Sequence, residues 1–225
     1  MSERRFPPSK DEIALFAPFA GLTLAQIVVP QTAAEFAAAQ ASLLAAPVLG
    51  FDTESRPVFK VGEVSRGPHL VQLTTATQAF LLQTSRAECR PLLQAVLASR
   101  AVVKVGFGLS SDKADLRRNF GLELDAVLDL NTIFRRQGYT STLGVKGAVA
   151  VVLGQRLTKS KRVTTSNWAN PRLQDNQLLY AANDAYAALQ VWQALQLPLA
   201  SAPIHYRAAQ GGAGPASGDT AASAA

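Results

Sequence analysis

Two acidic residues at the end of an apolar run are the first candidates for chemistry. Residues 48–51 are apolar or Gly and lead directly into Asp52, Thr53 and Glu54. Residues at positions i and i+2 of a strand point to the same face, so the carboxylates of Asp52 and Glu54 should lie side by side. Two like charges so close repel each other, and a divalent cation such as Mg²⁺ or Mn²⁺ relieves the repulsion. The same spacing also fits a strand end whose acids are simply solvated.

Three more side chains further along the chain could join such a site. Asp112 stands at the start of a predicted helix, where the helix dipole alone also favours an acid. Asp115, one turn later, fits equally well by composition. Tyr180 and Asp184 have the spacing i, i+4 and therefore share one face of a predicted helix. A half-buried tyrosine beside a surface aspartate would show the same spacing.

Other kinds of site have weaker support in the sequence. Gly106 and Gly108 follow a predicted strand and open a helix, with Asp129 about 20 residues on, as in dinucleotide-binding motifs. The third glycine of that motif is replaced by Ser111. A single Cys excludes an internal disulfide framework and a cysteine-based zinc site, and two His leave little for a histidine metal site.

The charge of the chain favours an anionic partner. Lys and Arg number 22 against 16 Asp and Glu, which gives a formal net charge of +6 at pH 7. Basic side chains cluster in two predicted loops, where they could attract a phosphate backbone or form a solvated surface. The candidates for substrate contacts are Arg56, Lys60, Arg66, Lys161 and Arg162. Trp168, in the second loop, could stack on a base, although a packing role is more common for such a residue.

Alternating strands and helices are predicted to position these side chains. Strands are predicted at 48–54, 69–75, 79–83, 101–107 and 126–130. Helices are predicted at 32–46, 88–99, 142–153 and 174–195, with another that ends at Phe120. A hairpin followed by strand-helix alternation predicts an α/β fold, with a mixed sheet of about five strands flanked by helices.

The length of 225 residues fits one folded domain. Residues 1–46 are predicted to form a leader and an Ala-rich helix, residues 47–207 the main domain, and residues 208–225 an Ala- and Gly-rich tail that stays disordered. The longest apolar run is far shorter than the roughly 20 residues that a membrane-spanning helix needs. Since no signal peptide is recognisable either, we expect a cytoplasmic protein without membrane contact, of unknown oligomeric state.

Four strings occur in the order typical of a known enzyme family. They are Phe51-Asp52-Thr53-Glu54, Val105 to Asp112 with Leu116, Ser166-Asn167-Trp168, and Tyr180 to Tyr186. Together they resemble the three exonuclease motifs of the DEDD superfamily, in the subgroup that has Tyr in the third motif, as in ribonuclease D and the Werner-syndrome-type exonuclease domain. The resemblance covers about residues 47 to 195 and implies a ribonuclease H-like fold.

The resemblance also implies roles for individual residues. The positions that match the family's catalytic residues are Asp52, Glu54, Asp112, Tyr180 and Asp184. The implied ligands of two divalent cations, Mg²⁺ or Mn²⁺, are Asp52, Glu54, Asp112 and Asp184. The family has a Leu four residues after the second-motif acid, here Leu116, which favours Asp112 over Asp115. Members of the related His subgroup carry His where this chain has Leu179.

The activity implied by the resemblance is that of a 3′-5′ exonuclease, which hydrolyses DNA or RNA from the 3′ end to nucleoside monophosphates. In such a two-metal mechanism one cation activates a water and the other stabilises the leaving oxygen. Tyr180, with an ordinary pKa of about 10, is expected to orient the water, and the main chain at Thr53 to meet the terminal nucleotide. A single-stranded 3′ end should be preferred, because a paired end must first fray. The alternative is a nucleic-acid-binding module of the same fold without turnover.

Overall fold

The computed structural model describes residues 4–58, 62–139 and 142–208 as alternating strands and helices. The strands are β1 (Ala17–Pro18), β2 (Ile27–Val28), β3 (Val48–Glu54), β4 (Leu70–Thr74), β5 (Ala79–Gln83), β6 (Val103–Gly106), β7 (Val127–Asp129) and β8 (Gln155–Arg156). The helices are α1 (Lys10–Ala14), α2 (Ala33–Ala45), α3 (Cys89–Ala98), α4 (Ser110–Phe120), α5 (Leu130–Arg136), α6 (Gly144–Leu153), α7 (Lys161–Thr164) and α8 (Asp175–Ala194).

Local sequence explains where several of these helices begin and end. Thr32 caps α2: its hydroxyl accepts from the N–H of Glu35 at 3.3 Å, and the Glu35 carboxylate accepts from the N–H of Thr32 at 3.1 Å. Helix α4 ends at Gly121, which has a φ of +63° in the left-handed region that favours glycine. The helices predicted at 32–46 and 174–195 are each one residue shorter at both ends in the structure.

Six strands form one mixed sheet in the order β2-β5-β4-β3-β6-β7. Strand β4 runs antiparallel to both β3 and β5, and the other neighbours in this sheet run parallel. The predicted α/β fold with a mixed sheet is thus confirmed. The sequence missed β2 because two residues are too few to show an alternating pattern. This strand lies before residue 47, where the sequence placed the start of the main domain.

Helices cover both faces of the six-stranded sheet. On one face, α2, α3 and α4 pack on apolar side chains from the central strands, including Leu49, Phe51 and Leu73. On the other face α8 crosses β3 and β4, and α5 and α6 pack with its second half. The result is a three-layer arrangement in which β3 is enclosed by helices on both faces.

Gly50 allows α8 to approach the sheet closely. A Cβ atom at this position would overlap the carbonyl oxygen of Ala185 and the hydroxyl oxygen of Thr74, so no larger residue fits without moving the helix. Ala181 and Ala182, on the buried side of α8, are also small. This close contact places the residues around Ala185 directly over β3.

No helix in the described ranges combines the length and the apolar character that crossing a bilayer requires. The tail predicted for residues 208–225 lies outside the described residues, except for Ala208.

Candidate active site

The two acids of β3 point towards α8. Asp52 and Glu54 share the face of Gly50, which α8 covers. Thr53 points to the opposite face, where its hydroxyl donates a hydrogen bond to Oδ1 of Asp112. The end of this strand therefore presents two carboxylates to α8 and one hydroxyl to α4.

Helix α8 contributes Asp184 and Tyr180. Asp184 directly precedes Ala185, whose carbonyl oxygen lies against the sheet, and its side chain is almost completely buried. Tyr180 lies one turn earlier on the same side of the helix and is half-buried. The Oγ1 of Thr164 lies 3.0 Å from the phenol oxygen of Tyr180 and 3.1 Å from the carbonyl oxygen of Ser160. Because a carbonyl oxygen can only accept, the single proton of Thr164 serves Ser160, and the phenol can donate to Thr164 Oγ1.

Helix α4 contributes Asp112 from its first turn. Burial raises the pKa of this carboxyl, and the hydrogen bond from Thr53 opposes that shift. Oδ2 of Asp112 also accepts from Ser111 Oγ at 3.3 Å. The other candidate in this helix, Asp115, forms an ion pair with Arg118 at 2.5 Å instead. The structure therefore brings Asp112, and not Asp115, to the acids of β3.

The carboxylates repel one another inside the fold. Burial, together with the charges of Asp184 and Asp112, raises the pKa of Asp52 to about 8. Burial, together with the charge of Asp52, raises the pKa of Glu54 to about 9. Burial also raises the pKa of Asp184. Because such mutual effects require short distances, these residues form one group. We call Asp52, Glu54, Asp112 and Asp184 the acid cluster.

Lys159, which the sequence placed only in the basic run that could attract a phosphate backbone, enters the acid cluster. Nζ of Lys159 lies 2.7 Å from Oδ2 of Asp184 and 5.4 Å from the ring centre of Tyr180. Burial lowers the pKa of Lys159, but the Asp184 carboxylate outweighs this effect, so the pKa is raised. The lysine also lowers the pKa values of Asp52 and Glu54. The basic run before the last helix was the one indication in the sequence that this lysine could matter. No spacing rule connects that loop to α8, so the contact with Asp184 was not predictable.

The donor atoms of the acid cluster suit a hard cation. Carboxylate oxygens are the ligands that Mg²⁺ and Mn²⁺ prefer. In the part of the chain that the structure describes, no three acidic, His or Cys side chains are already arranged to hold a metal ion. Asp184 is paired with Lys159 instead, and Asp112 with Thr53. Oδ2 of Asp184 is buried and makes no hydrogen bond of good geometry. The residues therefore fit a divalent cation, provided that Lys159 moves away.

Trp168 supports Tyr180 from inside the fold. Its side chain is 0% exposed, and its ring centre lies 5.8 Å from that of Tyr180. Its Nε1 donates to the carbonyl oxygen of Thr164 at 3.2 Å, which holds Thr164 beside the phenol. The prediction that Trp168 contacts the substrate is wrong for this structure, because a base cannot stack on a buried ring. Trp168 has the packing role that the sequence left open.

The loop after β3 carries two of the predicted basic residues. Arg56 and Arg66 are exposed and line a cavity of about 560 Å³ together with His69. Arg56 also forms an ion pair with Glu63 at 2.8 Å. Lys60 lies outside the described residues. This loop therefore presents a basic cavity beside the strand that carries the first two acids.

The second basic loop presents its charges on α7. Lys161 and Arg162 are both exposed. Arg162 borders a smaller polar cavity of about 220 Å³ with Ser166 and Asn167. Both residues therefore remain available to a polyanion.

The glycines proposed for a dinucleotide site have structural roles. A Cβ atom at Gly106 would clash with the carbonyl oxygen of Phe51 and with Leu109, so this glycine lets β6 and β3 approach. The N–H of Leu109, at the start of α4, donates to Oδ2 of Asp129 at 3.3 Å. Asp129 also caps α5 and is therefore engaged within the protein. Gly106 thus serves the packing of β6 against β3, and Asp129 is not free for a ribose.

Comparison with known proteins agrees with these observations. A family model described as 3′-5′ exonuclease matches residues 27–200. The chain is 33% identical over 150 residues to the bifunctional 3′-5′ exonuclease/ATP-dependent helicase WRN of Mus musculus, which covers 66% of the chain and 11% of that protein. Across three relatives in sequence, the chain spans from 11% to 52% of their length.

Solved structures share the fold of this chain. The Aedes aegypti Nibbler EXO domain superposes with a TM-score of 0.67 at 22% identity, over 80% of this chain and 94% of that chain. Trypanosoma brucei RNase D in complex with RNA U12 superposes with a TM-score of 0.66 at 22% identity, over 87% of this chain and 68% of that chain. At this identity the structures establish the fold, and the family model establishes the family. The chain therefore belongs to the 3′-5′ exonuclease family, within the DEDD superfamily that its motifs resemble.

Proposed function

We propose that this protein hydrolyses single strands of DNA or RNA from the 3′ end and releases nucleoside monophosphates. One observation carries the proposal: the acid cluster and Tyr180 converge at the end of β3, although they come from three separate elements. Acids held this close together, one of them buried and three partly buried, destabilise a fold, so packing alone does not account for the cluster. Hydrolysis of a phosphodiester does account for the acid cluster.

The acid cluster would hold two divalent cations, Mg²⁺ or Mn²⁺, which when bound lower the pKa of a water and stabilise charge on the leaving oxygen. Lys159 has to leave Oδ2 of Asp184 for a cation to be held there. Its ammonium then remains at the edge of the cluster, where it can donate to a phosphate oxygen. The same lysine would thus neutralise Asp184 in one state and substrate in the other.

Tyr180 orients a group and does not act as a general base. Burial, together with the charge of Asp184, raises the pKa of the phenol to about 12, so it stays protonated at neutral pH. The phenol lies within hydrogen-bond distance of Thr164 Oγ1, and its proton can turn from that oxygen to a substrate group. A water or a phosphate oxygen beside Asp184 is a suitable acceptor.

Basic side chains outside the acid cluster would guide the strand. The exposed residues Arg56, Arg66, Lys161 and Arg162 offset the negative cluster, consistent with the net charge of +6. The main chain at Thr53 lies between the two acids of β3 and is our candidate for contact with the terminal nucleotide. RNA binding by T. brucei RNase D shows that a relative in fold accepts a strand.

The second candidate function is a nucleic-acid-binding module without turnover. The ion pair between Lys159 and Asp184 favours it, because the lysine occupies an oxygen that a metal would need. The five motif residues disfavour a binding module without turnover, because each has the side-chain type that hydrolysis requires. The two candidates differ in whether the strand is shortened.

A digestion assay tests the proposed function. Single strands of DNA and of RNA, labelled at the 5′ end, are incubated with the protein and Mn²⁺ or Mg²⁺, with and without a chelator. We expect stepwise shortening that the chelator abolishes. Asp52→Ala should lower the rate by about 10³-fold, whereas Asp115→Ala, on the same protein but outside the cluster, should leave it unchanged. Binding of both strands without shortening would establish the second candidate instead.

A further inference from the structure

A buried glutamine on β4 has no hydrogen-bond partner in the described part of the chain. Gln72 is 0% exposed, and neither its side-chain oxygen nor its side-chain nitrogen makes a hydrogen bond. An unpaired buried amide costs free energy, whereas an apolar side chain of the same size would not. Packing therefore gives no reason for a carboxamide at this position.

The position of Gln72 in the sheet connects it to the acid cluster. It lies directly opposite Asp52 on β3 and opposite Leu81 on β5. Directly paired residues of antiparallel strands point to the same face, with their Cβ atoms about 4.5–5.5 Å apart. This is the face that α8 covers with small residues such as Ala181. Among its two cross-strand neighbours, Asp52 is thus the one with polar atoms.

We propose that Gln72 is a positioning residue for Asp52: its side-chain amide donates a hydrogen bond to the Asp52 carboxylate when that carboxylate holds a divalent cation, and so fixes the orientation of the ligand. The inference rests on the proposed function, because it assigns Asp52 to a metal site. Groups that orient metal ligands in this way typically change metal affinity by 10- to 100-fold. Without metal the amide stays unpaired and costs free energy, because its position suits the state in which Asp52 holds a cation.

Thr74 provides a matched control on the same strand and face. Its Oγ1 is also buried without a hydrogen-bond partner, but Thr74 lies opposite Gly50, two residues away from the position opposite Asp52. Gln72→Leu and Thr74→Val each remove an unpaired polar group without opening a large cavity. Both variants therefore remove buried, unpaired polar atoms from the same face of β4, and Thr74 does not lie opposite an acid.

The experiment measures thermal unfolding without metal and Mn²⁺ affinity by calorimetric titration, on the full chain. We expect the Tm of both variants to be unchanged or raised. Mn²⁺ affinity should fall by about 10- to 100-fold in Gln72→Leu and stay unchanged in Thr74→Val. With single-stranded DNA, kcat of Gln72→Leu at fixed Mn²⁺ should fall while KM for the strand is unchanged.

Two other results would overturn the inference. Wild-type affinity for Mn²⁺ in a folded Gln72→Leu protein excludes a positioning role. A lower Tm with unchanged affinity means that Gln72 only supports the fold. If Gln72→Leu does not fold, Gln72→Met, which keeps the length of the side chain, is judged by the same criteria. Absence of Mn²⁺ binding by the wild-type protein would contradict the proposed function itself, which distinguishes the two failures.

Discussion

Lys104 and the acid cluster both place charge inside the fold, on neighbouring strands, but with different partners. The side chain of Lys104 is 0% exposed, and its ammonium donates to the carbonyl oxygens of Ser99 at 2.7 Å and of Val102 at 2.8 Å. Burial lowers its pKa to about 8, and the Asp125 carboxylate opposes that shift. Within the described residues, the acid cluster has four carboxylates and one ammonium, that of Lys159.

The difference separates a charge that stabilises the fold from charges that the fold tolerates. The ammonium of Lys104 connects the end of α3 to β6 through neutral acceptors, so its hydrogen bonds contribute to stability. The charge of Asp52 raises the pKa of Glu54, the charges of Asp184 and Asp112 raise that of Asp52, and the close packing of α8 on Gly50 holds these acids together. We therefore expect substitutions at the two sites to have opposite consequences.

The largest expected effect is on activity at the acid cluster. Glu54→Gln keeps the shape of the side chain but removes a charge needed for a cation, so the rate of strand shortening should fall by about 10³-fold, or ~4 kcal/mol. The Tm without metal should not fall, because burial raises the pKa of Glu54 to about 9 and Gln resembles the protonated acid that the metal-free fold holds. Digestion kinetics and thermal unfolding on the same sample check both parts. A loss of Tm would show that Glu54 supports the fold.

At Lys104 on β6 we expect the opposite result, a loss of stability without a loss of activity. Lys104→Met leaves buried carbonyl oxygens without a donor, which should lower the free energy of unfolding by about 2 kcal/mol. Activity per folded molecule should stay at the wild-type value. Urea denaturation measures the first quantity, and digestion at a temperature where the variant is folded measures the second. If activity fell as well, the two sites would be coupled through β6 and β3.

The pH dependence of stability sharpens the same contrast. Asp52 and Glu54 hold protons in the folded state up to a pKa of about 8 and about 9, whereas the unfolded chain releases them near its ordinary values. The folded state therefore binds more protons, and the free energy of unfolding without metal falls as pH rises, by up to about 1.4 kcal/mol per pH unit for each proton.

Denaturation from about pH 5.5 to about pH 7.5 should reveal this slope, and Asp52→Asn should reduce it. Asp112 and Asp184, whose pKa values are raised, act in the same direction in both proteins. His69, whose pKa burial lowers, opposes the slope equally in both. Because the charge of Asp52 also helps to raise the pKa of Glu54, the difference between the two proteins reports the loss of Asp52 together with the lower pKa of Glu54. An identical slope in the variant would contradict the raised pKa of Asp52.

The smallest expected effect concerns the counter-charge of the acid cluster. Lys159→Met removes the ammonium that competes with a cation for Asp184, so Mn²⁺ affinity should rise about fivefold, or ~1 kcal/mol. The Tm without metal should fall, because the acids lose their counter-charge. Lys159→Arg keeps the charge and serves as the control in calorimetric titration and thermal unfolding. Equal Mn²⁺ affinity in all three proteins would show that Lys159 does not compete.

Local geometry made much of the fold and of the candidate site predictable. Residues two apart on a strand share a face, which predicted the parallel carboxylates of Asp52 and Glu54. Residues four apart on a helix share a face, which predicted the pair Tyr180 and Asp184. Strand-helix alternation likewise predicted the mixed sheet. These rules depend only on backbone periodicity, and they hold wherever the element lies.

Contacts between distant parts of the chain were decided by the tertiary structure alone. No pattern in the sequence shows that Lys159 reaches Asp184, that Trp168 is buried under Tyr180, or that Gln72 faces Asp52 across the sheet. Each of these contacts depends on strand register or on how closely α8 packs over Gly50. The sequence by itself determined which side chains share a face, and the packing of the faces determined which of them meet, because periodicity is a property of one element and proximity is a property of two.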